Sequence, residues 1–302
     1  MSEEKKGMLA AAIAYSIFGL SYLFSKLALE VAEPFILLCV RFSITFLVLN
    51  LMVITGFQKI SLRGKNLLGP ICLGLLEPVL YFFLENYGLK YTTTSFTGIV
   101  SSISPIFTAI LGAIFLRERP NKKQWFCICL SIAGVMMVSL GTNSGENTLL
   151  GCLCLLGAYI MSGSYSVLAR HLTKEFTAFE ITYIMFTIGF AVFTALAFLQ
   201  NGSQTLPLLA AALSDGQFLV SSLFLGILAS VIGYLLTNYS LTRLPATRSI
   251  IFSSFSTLVS VLSGVILMHD PFSLTSGVAF VMILAGVWGV NCFAQSSQNT
   301  SS

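Results

Sequence analysis

The chain has 302 residues, of which 56% are hydrophobic and only 9% charged, where a soluble domain carries roughly 25% charged residues. Its mean hydropathy of +0.88 excludes an ordinary soluble globule and a disordered polar chain. A net charge of +4, spread as it is between apolar runs, gives no footprint for nucleic acid.

Apolar runs recur from end to end, each near the roughly 20 residues that a helix needs to cross a bilayer. Ten are expected, at 7–29, 34–56, 66–88, 92–115, 123–141, 149–169, 178–200, 217–240, 246–268 and 274–294. Runs such as LLGCLCLLGAYIM do not alternate in the manner of barrel strands, so the fold class is an all-α membrane protein. The small residues of LAAAIA open a span that continues to Leu29, so the first span is expected to be retained rather than cleaved as a signal peptide.

In the first span Tyr15, Gly19, Tyr22 and Lys26 share a stripe, echoed in the sixth by Tyr159, Gly163, Ser166 and Arg170. Tyrosine offers an aromatic face and a hydroxyl, which suits a pocket for small amphipathic solutes as well as helix packing. The second span carries Arg41. The third, within GLLEPVLYFFLENYGLK, places Pro70, Gly74, Glu77, Tyr81, Glu85 and Gly88 within about 80° of each other on one face. That face cannot meet lipid, because an ionised side chain near the bilayer centre costs several kcal/mol unless paired or hydrated. Arg41 and Glu85 lie at similar depths, so an ion pair between them is geometrically open, with capture of a substrate anion by Arg41 as the alternative. Glu77 lies deeper, before a helix-kinking Pro78. It is either a permanently protonated hydrogen-bonding group or a carboxyl that binds substrate or a coupling proton.

In the fourth span Thr97, Ser101, Ser104, Thr108 and Gly112 form a small and hydroxylated stripe, matched in the ninth by Ser249, Ser253, Ser256, Ser260 and Gly264. Such stripes serve close helix packing, cavity lining, or both where the helices meet. The seven cysteines have no CxxC spacing and read as small core hydrophobes. His171 and His269 are too isolated for a metal constellation. The segment 201–216 reads as a polar connection, and Gln295–Ser302 as a disordered polar tail.

Shifting the chain by 144 aligns Gly7 with Gly151, Tyr15 with Tyr159, Gly19 with Gly163 and Phe42 with Phe186. A shift of 152 aligns Asn86-Tyr87 with Asn238-Tyr239, Ser101 with Ser253, Ser104 with Ser256, and Ala133-Gly134-Val135 with Ala285-Gly286-Val287. The chain therefore reads as two five-helix units, 1–145 and 146–302. Because five is odd, the second unit enters the membrane from the opposite side. Inverted repeats are the recurring build of secondary transporters, with the substrate site between the halves. With the N-terminus inside, all of the 16 Lys and Arg except Lys26, Lys90 and Arg41 fall on the cytoplasmic side, which orients both termini to the cytoplasm. Arg117, Glu118, Arg119, Lys122 and Lys123 form a short inner loop that fits a topology determinant.

The stretch KYTTTSFTGIVSSISPIFTAILGAIFLRER at 90–119, Arg41-Phe42 early in the second span, and the repeat of the pattern at 242–270 resemble the EamA-type family of the drug/metabolite transporter superfamily. The resemblance spans about residues 7–294. It implies ten helices, cytoplasmic termini, gradient-driven and usually outward movement of small metabolites, and fifth and tenth spans acting as peripheral braces. The second copy departs in ending its ninth span Met268-His269-Asp270 where the first has Leu116-Arg117-Glu118.

The sequence-level expectation is thus a secondary exporter of small organic metabolites, such as amino acids or drugs, working by alternating access in a plasma membrane, in the manner of a bacterial inner-membrane protein. Its partners are a small-molecule substrate, the bilayer and, as coupling ion, protons; no cofactor, metal or nucleic acid is expected. The cavity is expected between the first four helices of each half, with Tyr15, Tyr22, Arg41, Glu77, Tyr81, Ser101, Ser104, Tyr159, Ser253 and Ser256 as its candidates. The rival classes are an intramembrane lipid-modifying enzyme and a receptor or scaffold. No HExxH, intramembrane Asp pair or GxxxxGK[ST] supports a protease or an ATP-driven pump.

Overall fold

A computed structural model describes residues 2–116, 122–141, 147–250 and 252–298. Among these residues the regular structure is entirely helical, with no strand. In order they are α1 (Glu3–Leu29), α2 (Pro34–Ile54), α3 (Leu68–Gly74), α4 (Tyr81–Lys90), α5 (Thr94–Ser101), α6 (Ser104–Leu116), α7 (Lys122–Gly141), α8 (Leu149–Leu172), α9 (Ala178–Asn201), α10 (Thr205–Ser214), α11 (Gly216–Leu223), α12 (Tyr234–Arg243), α13 (Ala246–Ile250), α14 (Ser253–Leu267) and α15 (Leu274–Gln298). Local chemistry sets many of the starts. Thr93, Thr148 and Thr177 accept from the backbone of the first turns of α5, α8 and α9, Glu180 closes a capping box with Thr177, and Pro34 opens α2.

Seven helical stretches among the described residues are long and apolar enough to cross a membrane: Glu3–Leu29, Pro34–Ile54, Leu68–Lys90, Thr94–Gly112, Leu149–Leu172, Ala178–Ser214 and Gly216–Arg243. Within the other three expected spans the apolar helices are shorter, at Trp125–Gly134, Ser253–Leu267 and Leu274–Gly286. Two expectations change. The segment 201–216 is not a plain polar connection: TLPLLAAALS is apolar enough to coil into α10, beside α2 and α9. The tail is helical as far as Gln298 instead of irregular from Gln295. Of the basic inner loop, Arg117, Glu118 and Arg119 lie outside the described residues.

Two helices are interrupted at matching places. Between α3 and α4 the helix is broken by a kink within Leu75–Leu80, where Glu77 takes extended angles (φ −144°, ψ 116°). Proline disfavours helical angles at the residue before it, so Pro78 accounts for the break and for the position of Glu77 in it. Between α11 and α12, Phe224–Gly233 is a π-helix; a shift of 152 carries Glu77 onto Ala229 within it.

The packing is reciprocal. As α1 lies against α12 and α14, so α8 lies against α4 and α6; as α5 lies against α14, so α13 lies against α6. Small residues set these approaches. A Cβ on Gly19 would sit 2.6 Å from the Ser256 carbonyl oxygen and 2.7 Å from Val259 Cβ, and a Cβ on Gly163 would sit 2.9 Å from Phe107 Cβ and 3.0 Å from the Thr108 nitrogen. Gly19 and Gly163 are repeat partners, and so are Val259 and Phe107. The same rule holds between α7 and α15: Gly134 of α7 meets Ile283, and Gly286 of α15 meets Ser131.

The stripe-end cations act as caps rather than cavity groups. Lys26 Nζ donates to the carbonyls of Leu89 (3.0 Å) and Thr92 (2.5 Å) at the end of α4. Its repeat partner Arg170 donates to the Leu241 carbonyl near the end of α12, so each binds backbone carbonyls at or near a helix end. The Lys26 end also holds the Lys90–Glu33 pair (2.6 Å). The opposite end holds Arg243–Glu3 (2.8 Å), Arg248–Glu4 and Lys65–Glu180 (2.7 Å).

Candidate functional site

Between the two halves lies a cavity with about 620 Å³ of space free of protein atoms, part of it open to the surroundings. Its walls come from α1 (Tyr15, Phe18, Ser21, Tyr22), α2 (Arg41), the interrupted third span (Glu77, Tyr81, Phe82, Glu85), α5 and α6 (Ser101, Ser104), α8 (Tyr159, Ser162, Tyr165, Ser166), α12 (Tyr234, Thr237) and α14 (Ser253, Ser256). All ten candidates from the sequence, together with Glu85, are therefore brought to one cavity.

The arrangement differs from the sequence expectation in three ways. Although α9 was expected to line the cavity, it contributes no described residue to the wall. Its Phe186 and Phe193 instead stack on Phe42 at ring-centroid distances of 5.5 and 5.1 Å, which fills that face with a dry aromatic core. The hydroxyl stripes divide by position. Their middles, Ser101, Ser104, Ser253 and Ser256, face the cavity, while Thr97 and Ser260 bond to backbone carbonyls, at Thr93 (2.9 Å) and Thr94 (3.0 Å). Lastly, Arg41 and Glu85 form no ion pair.

Arg41 is 1% exposed. Its Nε donates to Ser230 Oγ at 3.0 Å, and its guanidinium carbon lies 4.1 Å from the centroid of the Phe82 ring. The α2 backbone is held close to the second half by Thr45, whose hydroxyl donates to the Gly226 carbonyl at 2.9 Å. Glu85 Oε1 accepts from the Tyr81 hydroxyl at 2.6 Å, one helical turn away. A serine and an aromatic face thus hold the cation, and a phenol holds the carboxyl.

Glu77 is 4% exposed, and its Oε1 accepts from the Tyr234 hydroxyl. Its Oε2 has no hydrogen-bond partner in the structure, nor do Ser104 Oγ and Ser253 Oγ. Buried polar atoms in folded proteins are nearly always bonded; among the described residues six buried side-chain atoms have no partner, and three of them, Glu77 Oε2, Ser104 Oγ and Ser253 Oγ, belong to residues of this one cavity, where a ligand or water can bond them. Tyr234 packs edge-on against Phe18 (5.2 Å) and Tyr165 (5.9 Å). Tyr165 in turn donates to Asn238 Oδ1 at 2.8 Å, and Tyr159 to the Thr97 carbonyl at 3.2 Å.

Sequence reasoning missed Tyr234, Tyr165, Phe18, Phe82 and Ser230. The repeat supplied a signal for Tyr234, which a shift of 152 places on Phe82, within the glutamate-bearing span. No comparable signal picks out Ser230. Among the described residues no group of three His, Cys, Asp or Glu is placed to hold a metal ion.

Comparison with known proteins gives a consistent picture. The model of the EamA-like transporter family matches twice in tandem, over residues 5–140 and 149–292. The uncharacterized transporter YcxC of Bacillus subtilis (strain 168) is 36% identical over 285 residues, covering 93% of this chain and 91% of that protein. An uncharacterized transporter of Archaeoglobus fulgidus is 24% identical, covering 94% and 98%. One crystal structure superposes with a TM-score of 0.66 at 17% identity, covering 94% of this chain and 97% of that one, a likeness of fold.

Proposed function

Because the chain belongs to the EamA-like transporter family, we propose that this multi-pass membrane transporter is a secondary carrier of small organic solutes, an exporter, that works by alternating access without catalysing a reaction on its cargo. In this reading ten membrane-crossing helices form two inverted units, 1–145 and 146–302. Both termini are cytoplasmic in a plasma membrane, and α7 and α15 brace the moving parts.

The observation that carries the proposal is the cavity itself, walled by matching elements of both halves and bearing three unpartnered polar atoms. A site shared between repeats is where rocking of one half against the other alternates exposure. The reciprocal pairing of α5 with α14 and of α13 with α6 supports this reading. The split of basic residues favours the stated orientation. The ten cavity candidates Tyr15, Tyr22, Arg41, Glu77, Tyr81, Ser101, Ser104, Tyr159, Ser253 and Ser256 bind the solute, and Glu77 carries the coupling proton.

The test is flux in proteoliposomes of a pooled set of labelled amino acids, nucleosides and cationic dyes, with and without a pH gradient. Wild type is compared with Glu77→Gln. Gradient-driven flux whose pH dependence flattens in the variant is the expected result. An unchanged pH profile removes Glu77 from coupling, and absence of flux for a broad pool overturns the carrier reading.

A further inference from the structure

We infer that the solute held in this cavity carries a primary or secondary ammonium group, which donates a hydrogen bond to Glu77 Oε2. This rests on the reading of the cavity as the solute site. The charged chemistry of the wall lies in the first half: Arg41, Glu77 and Glu85 have Met185, Ala229 and Thr237 as their repeat partners. Two carboxyls face one guanidinium there, so with all three ionised the wall lacks one positive charge.

Hydrogen bonding says where that charge sits. Arg41 is held by Ser230 and the Phe82 ring, and Glu85 has its donor in Tyr81. Glu77 has a donor on one oxygen only; the other is buried and unpartnered. A buried acceptor left without a donor costs about 1–3 kcal/mol, and more when charged. A nitrogen carrying N–H repays this. A quaternary nitrogen brings charge and attraction to the aromatic wall, but no donor. A purely anionic solute meets two carboxyls and only one guanidinium. The rings of Phe18 and Tyr165, packed on Tyr234, the donor to Glu77, fit an apolar or aromatic body attached to the amine, with the Ser104 and Ser253 hydroxyls open to its other polar groups.

The test uses the purified full chain in lipid nanodiscs and three probes sharing one aromatic body: phenethylamine, its N,N,N-trimethyl ammonium analogue and 3-phenylpropionate. Binding is measured by titration calorimetry at neutral pH, where the amine is protonated. Phenethylamine is expected to bind at least about tenfold tighter than the trimethyl analogue, the ratio for loss of one charge-assisted hydrogen bond, and 3-phenylpropionate is expected not to saturate. Glu77→Gln is expected to erase the preference between the two cations. Equal or tighter binding of the trimethyl analogue overturns the inference, as does preference for the anion or no saturable binding of any probe. Should Glu77→Gln fail to fold, the three probes on wild type decide alone. Binding without flux in proteoliposomes would sink the carrier reading and leave this inference standing; flux of other solutes with no amine binding would do the reverse.

Discussion

The reciprocal helix contacts make a quantitative prediction for Gly19 and Gly163. In Gly19→Ala the new methyl meets a backbone oxygen at 2.6 Å and Val259 Cβ at 2.7 Å; in Gly163→Ala it meets Phe107 Cβ and the α6 backbone at 2.9 to 3.1 Å. Neither obstacle is the tip of a flexible side chain, so α1 must move off α14, or α8 off α6. Overpacking of this kind costs about 1–3 kcal/mol, partly offset by the ~0.5–1 kcal/mol that alanine gains over glycine in a helix, for a net loss of roughly 1–2 kcal/mol. At about 2–4 °C per kcal/mol, Tm should fall by about 2–8 °C, and more for Gly19→Ala, whose contacts are tighter. Gly216, at the start of α11, is the control: a Cβ there meets nothing within 4 Å among the described residues, so Gly216→Ala should leave Tm level or raise it. The assay is thermal unfolding in detergent, followed by a thiol-reactive dye that reports the buried Cys39, Cys127 and Cys152. Parallel losses at Gly19 and Gly163 with none at Gly216 are expected. A neutral Gly19→Ala would refute the claim that small residues set the spacing of the two halves.

Three other perturbations probe single contacts. The Ser95 N–H donates to Asp270 Oδ2 at 2.7 Å, tying the start of α5 to the turn after α14. Asp270→Ala should cost about 0.5–2 kcal/mol, like the loss of a helix N-cap, and lower Tm, while Asp270→Asn, which keeps an acceptor, should recover most of it. Since Arg41 bonds Ser230 rather than Glu85, the double reversal Arg41→Glu with Glu85→Arg should not restore folded yield lost in either single reversal. Ser230→Ala should itself lower Tm, by leaving a buried charged donor at a cost of about 1–3 kcal/mol. Glu180, 2% exposed, accepts from Ser61 N (3.0 Å), Thr177 N (2.9 Å) and Lys65 Nζ (2.7 Å). Glu180→Ala should release the 57–67 connection, seen as faster proteolytic cleavage there with helix content unchanged by circular dichroism.

Much of the fold was legible because bilayer-length apolar runs leave a helix little alternative. The kink at Pro78 was legible because a ring without an N–H cannot continue a helix unchanged. What escaped was long-range. Arg41 and Glu85 are at matching depths, but depth gives no azimuth, and a serine from the other half together with an aromatic face took the place that a charge count gives to the carboxylate. Helix α10 escaped because TLPLLAAALS follows polar residues and begins near a proline, two signals that read as a connection. Tyr15, Tyr22, Tyr159 and the four serines were singled out by spacing. Tyr234 was not, because its repeat partner Phe82 has no hydroxyl to draw attention.

The two halves keep their frame alike and their chemistry apart. Glycines and cap-forming cations recur at the repeat shifts because close packing and unpaired helix ends must be handled twice, once in each half. Charges need not recur: one cavity serves both halves, so a single cluster of Arg41, Glu77 and Glu85 is enough, and a second would add another guanidinium and two more carboxyls to be taken out of water. The third spans show the outcome. Both depart from a regular α-helix at the same place in the repeat, one by a kink and the other by a π-helical stretch, but one presents Glu77 there and the other Ala229. The second half gives Tyr234 instead, whose hydroxyl completes one side of the first half's carboxyl. Tyr234→Phe therefore separates frame from chemistry: it keeps the ring contacts with Phe18 and Tyr165 and removes only the bond to Glu77. Its effect should fall on ligand affinity and the pH profile of flux far more than on helix packing. A variant with lowered helix content and wild-type pH behaviour would contradict that division.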